Sequence, residues 1–273
     1  MSTIAALDHR AATPSARYAG GVSIFDRDEL NDRLFFPRPD AGRPPPGARD
    51  HRIDVGGARL HVRVHAGPPG APVLLLFHGN GEVVADYDDA AARFADAGAA
   101  LAVVDYRGYG ASTGTPTLRG LIADARRVAE VLQPRIVMGR SLGGVAAHEL
   151  YARPTAGLAG VVLESALFDL AALVRRRGLV PPDRFSDDER RVFEPAGKLA
   201  LGHLPLLVLH GERDELIVPD EARAALAAAG AAEAEKTLAI IPGRGHNDVS
   251  LGDGYWAALA GFIARVAARP GPA

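Results

Sequence analysis

Cysteine is absent from all 273 residues. No disulfide, thiolate metal site, catalytic thiol or palmitoyl anchor can therefore be built from this chain. Lysine is nearly absent too: only Lys198 and Lys236 occur, so almost all the positive charge is arginine. With the abundance of Ala, Gly and Pro, that skew reads as genomic base-composition bias and not as function. No apolar run approaches the roughly 20 residues that span a bilayer, so no transmembrane helix or membrane insertion is expected. An excess of either charge is missing as well. A formal net charge of −2 gives no sequence-independent attraction to nucleic acid or to anionic membrane. The one dense basic run, Arg175-Arg176-Arg177, reads as a solvated helix face. The amino terminus, Met1 to Arg10, carries neither an early positive cluster nor a sustained apolar core, so a cytoplasmic location is expected. No cluster has metal-ligand spacing, and no G-x-G-x-x-G or Walker-type loop follows the first strands. Neither a metal nor a cofactor is expected.

What is present is a chain long enough to bury a full core, with 48% hydrophobic residues. Residues 1–50 are broken by Pro37, Pro39 and Pro44-Pro45-Pro46-Gly47 and read as an extension, with a short helix from Asp28 packing Leu34, Phe35 and Phe36 onto the body. From His51 the pattern becomes a hairpin turning at Gly56-Gly57, its second arm alternating Leu60, Val62 and Val64. Val73-Leu74-Leu75-Leu76-Phe77 is short and uniformly apolar, as a strand buried on both faces must be. Further strands are expected at 101–104, 136–138, 161–163, 206–209 and 238–241, with helices near 84–97, 118–132, 142–152, 220–230 and 254–268. This alternation predicts an α/β fold: a mostly parallel sheet of about eight strands, helices on both faces and the hairpin at one edge. Between Glu164 and Pro205 about forty residues replace the usual single helix, so residues 51–273 read as one domain with a small lid at about 165–204.

Gly139-Arg140-Ser141-Leu142-Gly143 lies between an apolar strand and a helix-forming run, Gly144 to Leu150. That is the setting of a nucleophile elbow, in which a serine is held in a strained turn and flanking glycines avoid the neighbouring strand and helix. A serine hydroxyl needs a base, and the base needs a carboxylate to fix its tautomer. His246, on the loop Pro242 to Asp248 after the last strand, is the candidate base; Asp214, directly after the strand 206–209, is the candidate carboxylate. The backbone N–H of Leu142 and that of Asn80, in the turn His78-Gly79-Asn80-Gly81, are candidate oxyanion donors. Glu164 is an alternative acid or a partner for Arg140, the pairing being the favoured reading. Tyr109, Arg140 and Glu164 are thus candidates for pocket lining or support. His78 is expected to order its own turn, His210 to be structural, and Asp248 to be exposed or a loop brace.

Together with Asp105-Tyr106-Arg107-Gly108-Tyr109-Gly110 and Phe35-Phe36-Pro37, these motifs resemble the α/β-hydrolase superfamily over roughly residues 51–268, in particular its Bem46-like and serine aminopeptidase S33-like branch. The resemblance implies a Ser141, Asp214 and His246 triad with the Asn80 and Leu142 donors, and leaves the substrate open. Asn80-Gly81-Glu82-Val83 departs from the Asn-Ala-Gly-Asn type of turn common in that branch. The expected activity is hydrolysis of a small ester or related acyl compound through an acyl-enzyme. The rival readings are a peptidase and a non-catalytic binding or scaffold protein on the same fold.

Overall fold

A computed structural model describes residues 23–40, 42–176, 178 and 185–269. The first ten residues and Arg177, both singled out above, lie outside the described residues. Strands β1 (Ala48–Asp54) and β2 (Arg59–His65) form the expected hairpin, and Gly56 and Gly57 both take φ +76°, a conformation that costs glycine little. Strands β3 (Val73–Phe77), β4 (Ala100–Val104), β5 (Ile136–Arg140), β6 (Gly160–Glu164), β7 (Leu206–Gly211) and β8 (Lys236–Ile241) complete an eight-stranded sheet in the order β1-β2-β4-β3-β5-β6-β7-β8. Only the β1–β2 and β2–β4 pairings are antiparallel. The chain leaves β3 toward β4 on one side and returns to β5 on the other. That reversal opens a crevice beyond the carboxyl ends of β3 and β5, where sheets of this kind bind ligands.

Side chains alternate across the sheet and feed two cores. Leu75, Phe77, Val137 and Leu163 pack with α3 (Leu118–Leu132), α4 (Gly144–Ala152) and α8 (Pro219–Ala228). Leu74, Leu76, Met138 and Val162 pack on the opposite face with α2 (Ala91–Asp96) and α9 (Tyr255–Ala267). Helix α3 starts where Thr117 accepts the Gly120 N–H and stops where Gln133 turns left-handed at φ +47°. The single helix expected near 84–97 is instead a 3-10 turn, Val84–Tyr87, followed by the short α2.

Among the described residues, three short helices lie in the long interval after β6: α5 (Leu170–Arg176), α6 (Asp187–Phe193) and α7 (Pro195–Leu201). Ser186 caps α6 through the Glu189 N–H, and Pro195 opens α7. Helix α7 lies against α4, where the buried Lys198 ammonium meets Glu149 at 2.9 Å. Helix α1 (Asp28–Leu34) is preceded by Phe25, whose ring packs on Phe193 at 4.2 Å and on Phe185 at 5.0 Å, so the amino-terminal arm and the α6 region share one aromatic cluster. Leu34 and Phe35 are buried as expected, but Phe36 is 50% exposed. The backbone is extended after Leu34, so successive side chains point to opposite sides and Phe36 faces outward when Phe35 faces in. Among the described residues no helix is long and apolar enough to cross a membrane.

Candidate active site

Ser141 follows β5 directly and takes φ +50°, a strained value for a residue with a Cβ. The flanking glycines have the steric reason expected of them. A Cβ on Gly143 would stand 2.0 Å from the Phe77 carbonyl oxygen, and one on Gly139 would stand 2.6 Å from the Ala147 methyl. The nucleophile candidate is thus wedged between the end of β3 and α4. Leu142 is the second residue of the 3-10 turn that runs into α4, so its N–H is among the donors a helix start leaves without an internal acceptor.

Three side chains that are distant in sequence converge here. His246 Nε2 lies 2.9 Å from Ser141 Oγ, and His246 Nδ1 lies 2.8 Å from Asp214 Oδ2. Asp214 Oδ1 accepts the N–H groups of Leu216 and Ile217, which fixes the carboxylate within its own turn. Burial pushes the Asp214 carboxyl up, but hydrogen bonds from His246 and the Ile217 N–H outweigh it, and the group sits below the usual carboxylate range. His210 donates from Nε2 to the Ile217 carbonyl at 2.8 Å and so braces the turn, a structural role as expected. Asp248 accepts the Gly245 N–H at 2.7 Å and braces the histidine loop. An imidazole between a serine hydroxyl and a buried carboxylate can take the hydroxyl proton and hold the resulting charge.

On the other rim, His78 Nδ1 donates to the Gly79 carbonyl and orders its turn. The Asn80 side chain is engaged at both of its polar atoms: its Nδ2 donates to the Leu34 carbonyl at 2.6 Å, and its Oδ1 accepts from the Tyr109 hydroxyl and the Phe36 N–H. The backbone N–H of Asn80 makes no hydrogen bond to a described residue. Tyr109 is wholly buried beneath Asn80, so its place is support and not pocket lining. Arg140 pairs with Glu164 at 3.2 Å, the favoured alternative for that carboxylate. Desolvation raises the Glu164 pKa against the pull of Arg140.

Ser141 and His246 open into a cavity of ≈ 270 Å³ whose other walls are Leu34, Leu142, Leu167, Leu173, Leu216 and Ile217, with Asn80 and Glu215 the remaining polar members. Sequence reasoning did not anticipate Leu34, which reaches the cavity from the arm, or Glu82, which accepts the Gly79 N–H at 2.7 Å. The signal for Glu82 was visible in the unusual Asn80-Gly81-Glu82-Val83 turn. Among the described residues no group of three or more His, Asp or Glu could hold a metal ion.

Residues 68–186 match a family model described as serine aminopeptidase, S33. The protein Bem46 of Schizosaccharomyces pombe is 31% identical over 215 residues, which cover 72% of this chain and 69% of that protein. The chain belongs to the Bem46-like branch of the α/β hydrolases. An uncharacterized protein of Mycobacterium tuberculosis is 33% identical to this Bem46-like hydrolase over 256 residues, 88% of each chain. Among solved structures, an esterase of Pyrococcus furiosus superposes with a TM-score of 0.66 at 15% identity, covering 84% of this chain and 98% of that one, a likeness of fold. The Bem46-like assignment accounts for the eight strands, their order and the elbow after β5 in one scheme.

Proposed function

We propose that this Bem46-like hydrolase cleaves an ester or related acyl compound through an acyl-enzyme on Ser141. Ser141 attacks the carbonyl, His246 takes the hydroxyl proton and returns it to the leaving group, and Asp214 holds the imidazole in the required tautomer. The backbone N–H groups of Leu142 and Asn80 receive the oxyanion, each worth roughly 3 kcal/mol of transition-state stabilisation. The observation that carries the reading is the continuous chain of 2.9 Å and 2.8 Å contacts from Ser141 through His246 to Asp214.

The cavity wall favours the class of substrate. Six aliphatic side chains suit an apolar acyl or alkyl group of modest size. Residues of the interval 165–204 act as a lid in this proposal, since Leu167 and Leu173 form part of that wall.

Hydrolysis of p-nitrophenyl esters from acetyl to palmitoyl, with Ser141→Ala alongside, tests the proposal. Turnover that vanishes in the variant supports the serine mechanism, and the best chain length reads the depth of the apolar wall. If no ester is turned over but a fluorophosphonate labels Ser141, a peptidase or another narrow specificity replaces the ester reading. Absence of both turnover and labelling leaves the scaffold reading.

A further inference from the structure

Arg140 is the last residue of β5, adjacent to Ser141, and its side chain is only 11% exposed. Its guanidinium reaches three other segments at once. Nε donates to Glu82 Oε1 at 2.8 Å, on the turn that carries Asn80. Nη1 donates to the His246 carbonyl at 3.1 Å and to Glu164 Oε1 at 3.2 Å, and Nη2 donates to Asn247 Oδ1 at 3.2 Å. Glu82 continues the connection inward: its Oε2 accepts the Gly79 N–H at 2.7 Å and the Tyr87 hydroxyl at 2.6 Å. Gly79 immediately precedes Asn80, so the carboxylate that meets Arg140 also holds the His78–Gly79 peptide, one ahead of the peptide that carries the candidate donor. Glu164 is held from its far side by the Tyr255 hydroxyl.

We infer that Arg140 and Glu82 are a positioning pair that fixes the Asn80 backbone N–H and the His246 main chain relative to Ser141. Neither touches substrate; each acts through the groups it holds. The inference rests on the acyl-enzyme reading and deepens it. A planar guanidinium with five donors can serve Glu82, Glu164, Asn247 and the His246 carbonyl together, whereas an ammonium has three donors at a single point. Glu82 remains ionised because attraction to Arg140 and the hydrogen bonds it accepts outweigh its burial. The unusual turn sequence and the arginine ahead of the serine are two halves of one device.

The test is a double-mutant cycle on the full chain with Arg140→Lys, Glu82→Gln and both together, read as kcat and KM on the best ester, as the rate of fluorophosphonate labelling and as melting temperature. Gln retains an oxygen for the Gly79 N–H, so Glu82→Gln isolates the pairing from the fold of the turn. Misplaced reacting groups cost about 10²-fold, so each single variant should lose about that much in kcat with KM within about twofold of native. The double variant should be little worse than the weaker single, because one connection is cut in each. Arg140→Ala should regain part of its labelling rate in millimolar guanidinium and none in ammonium, a response that a loss of fold would not give. Native kcat in Arg140→Lys, or losses that simply multiply in the double variant, overturns the inference. A native protein that neither turns over an ester nor accepts the fluorophosphonate instead removes the acyl-enzyme reading beneath it.

Discussion

Asp214 gives one carboxylate oxygen to His246 and the other to the N–H groups of Leu216 and Ile217. The same side chain therefore orients the imidazole and closes the turn that supplies two walls of the cavity. Asp214→Asn should keep the turn, through the amide oxygen, while presenting the wrong partner to His246 Nδ1. Its kcat should fall by about 10⁴-fold with a near-native melting temperature. Glu164→Gln is the control: a loss as complete as that of Asp214→Asn would transfer the acid's role to Glu164.

Removing the Asn80 side chain frees the arm while leaving the backbone N–H in the chain. Leu34, Phe36 and Tyr109 lose their shared partner. Asn80→Ala should lower kcat/KM by about 10- to 100-fold, well short of the loss in Ser141→Ala. The same variant should be cut by protease ahead of residue 40 faster than the native protein. Equal losses in the two variants would mean that the amide of Asn80 acts directly.

Lys198 is one of two lysines in the chain and the one that is buried against Glu149. Lys198→Met leaves that carboxylate with the exposed Arg153 at 2.9 Å and the more distant Arg126 at 3.5 Å. The expected loss is about 3 kcal/mol in urea unfolding, since the buried carboxylate then keeps only partners that reach it from the surface. Adding Glu149→Leu should restore most of it. A single variant as stable as the native protein would show that α7 is held on α4 by apolar contact alone.

Acid should weaken the fold through His148. Burial, with a smaller push from Lys198, lowers its pKa to about 3, whereas an unfolded chain holds histidine near 6.5. The unfolded state therefore binds a proton that the folded state refuses. Stability is complete above about pH 6.5 and declines as pH falls from there toward 3, by about 2 kcal/mol at pH 5 from this group. Unfolding of His148→Leu measured from pH 7 to 5 should be flatter by that amount. An unchanged slope would assign the acid sensitivity to three further buried histidines, His65, His78 and His210, whose pKa values burial also lowers.

Elements with a strong local pattern were legible in the sequence. Val73 to Phe77 is apolar at every position, and α3 has a Thr117 cap and helical spacing, so both occur with the expected bounds. That Ser141, Asp214 and His246 meet was legible because each closely follows a strand end, and parallel strands bring those ends to one edge of the sheet. The arm was misjudged at Phe36 because the extended backbone that turns its ring outward is tied at the Phe36 N–H to Asn80 and Tyr109, far away in sequence. Tyr109 was ambiguous for the same reason, as only packing under Asn80 separates support from lining. Leu34 was read as packing on the body, yet its contribution to the cavity depends on where the arm crosses the β3 turn, which no local pattern encodes.

Leu34 closes the cavity from a stretch that contains none of the three side chains proposed to react. One wall of the cavity thus has its own address in the gene, apart from the walls that Leu142, Leu216 and Ile217 build beside Ser141 and Asp214. If the acyl-enzyme reading holds, an insertion or deletion ahead of the first strand should widen or narrow the range of molecules admitted while Ser141, Asp214 and His246 stay in place.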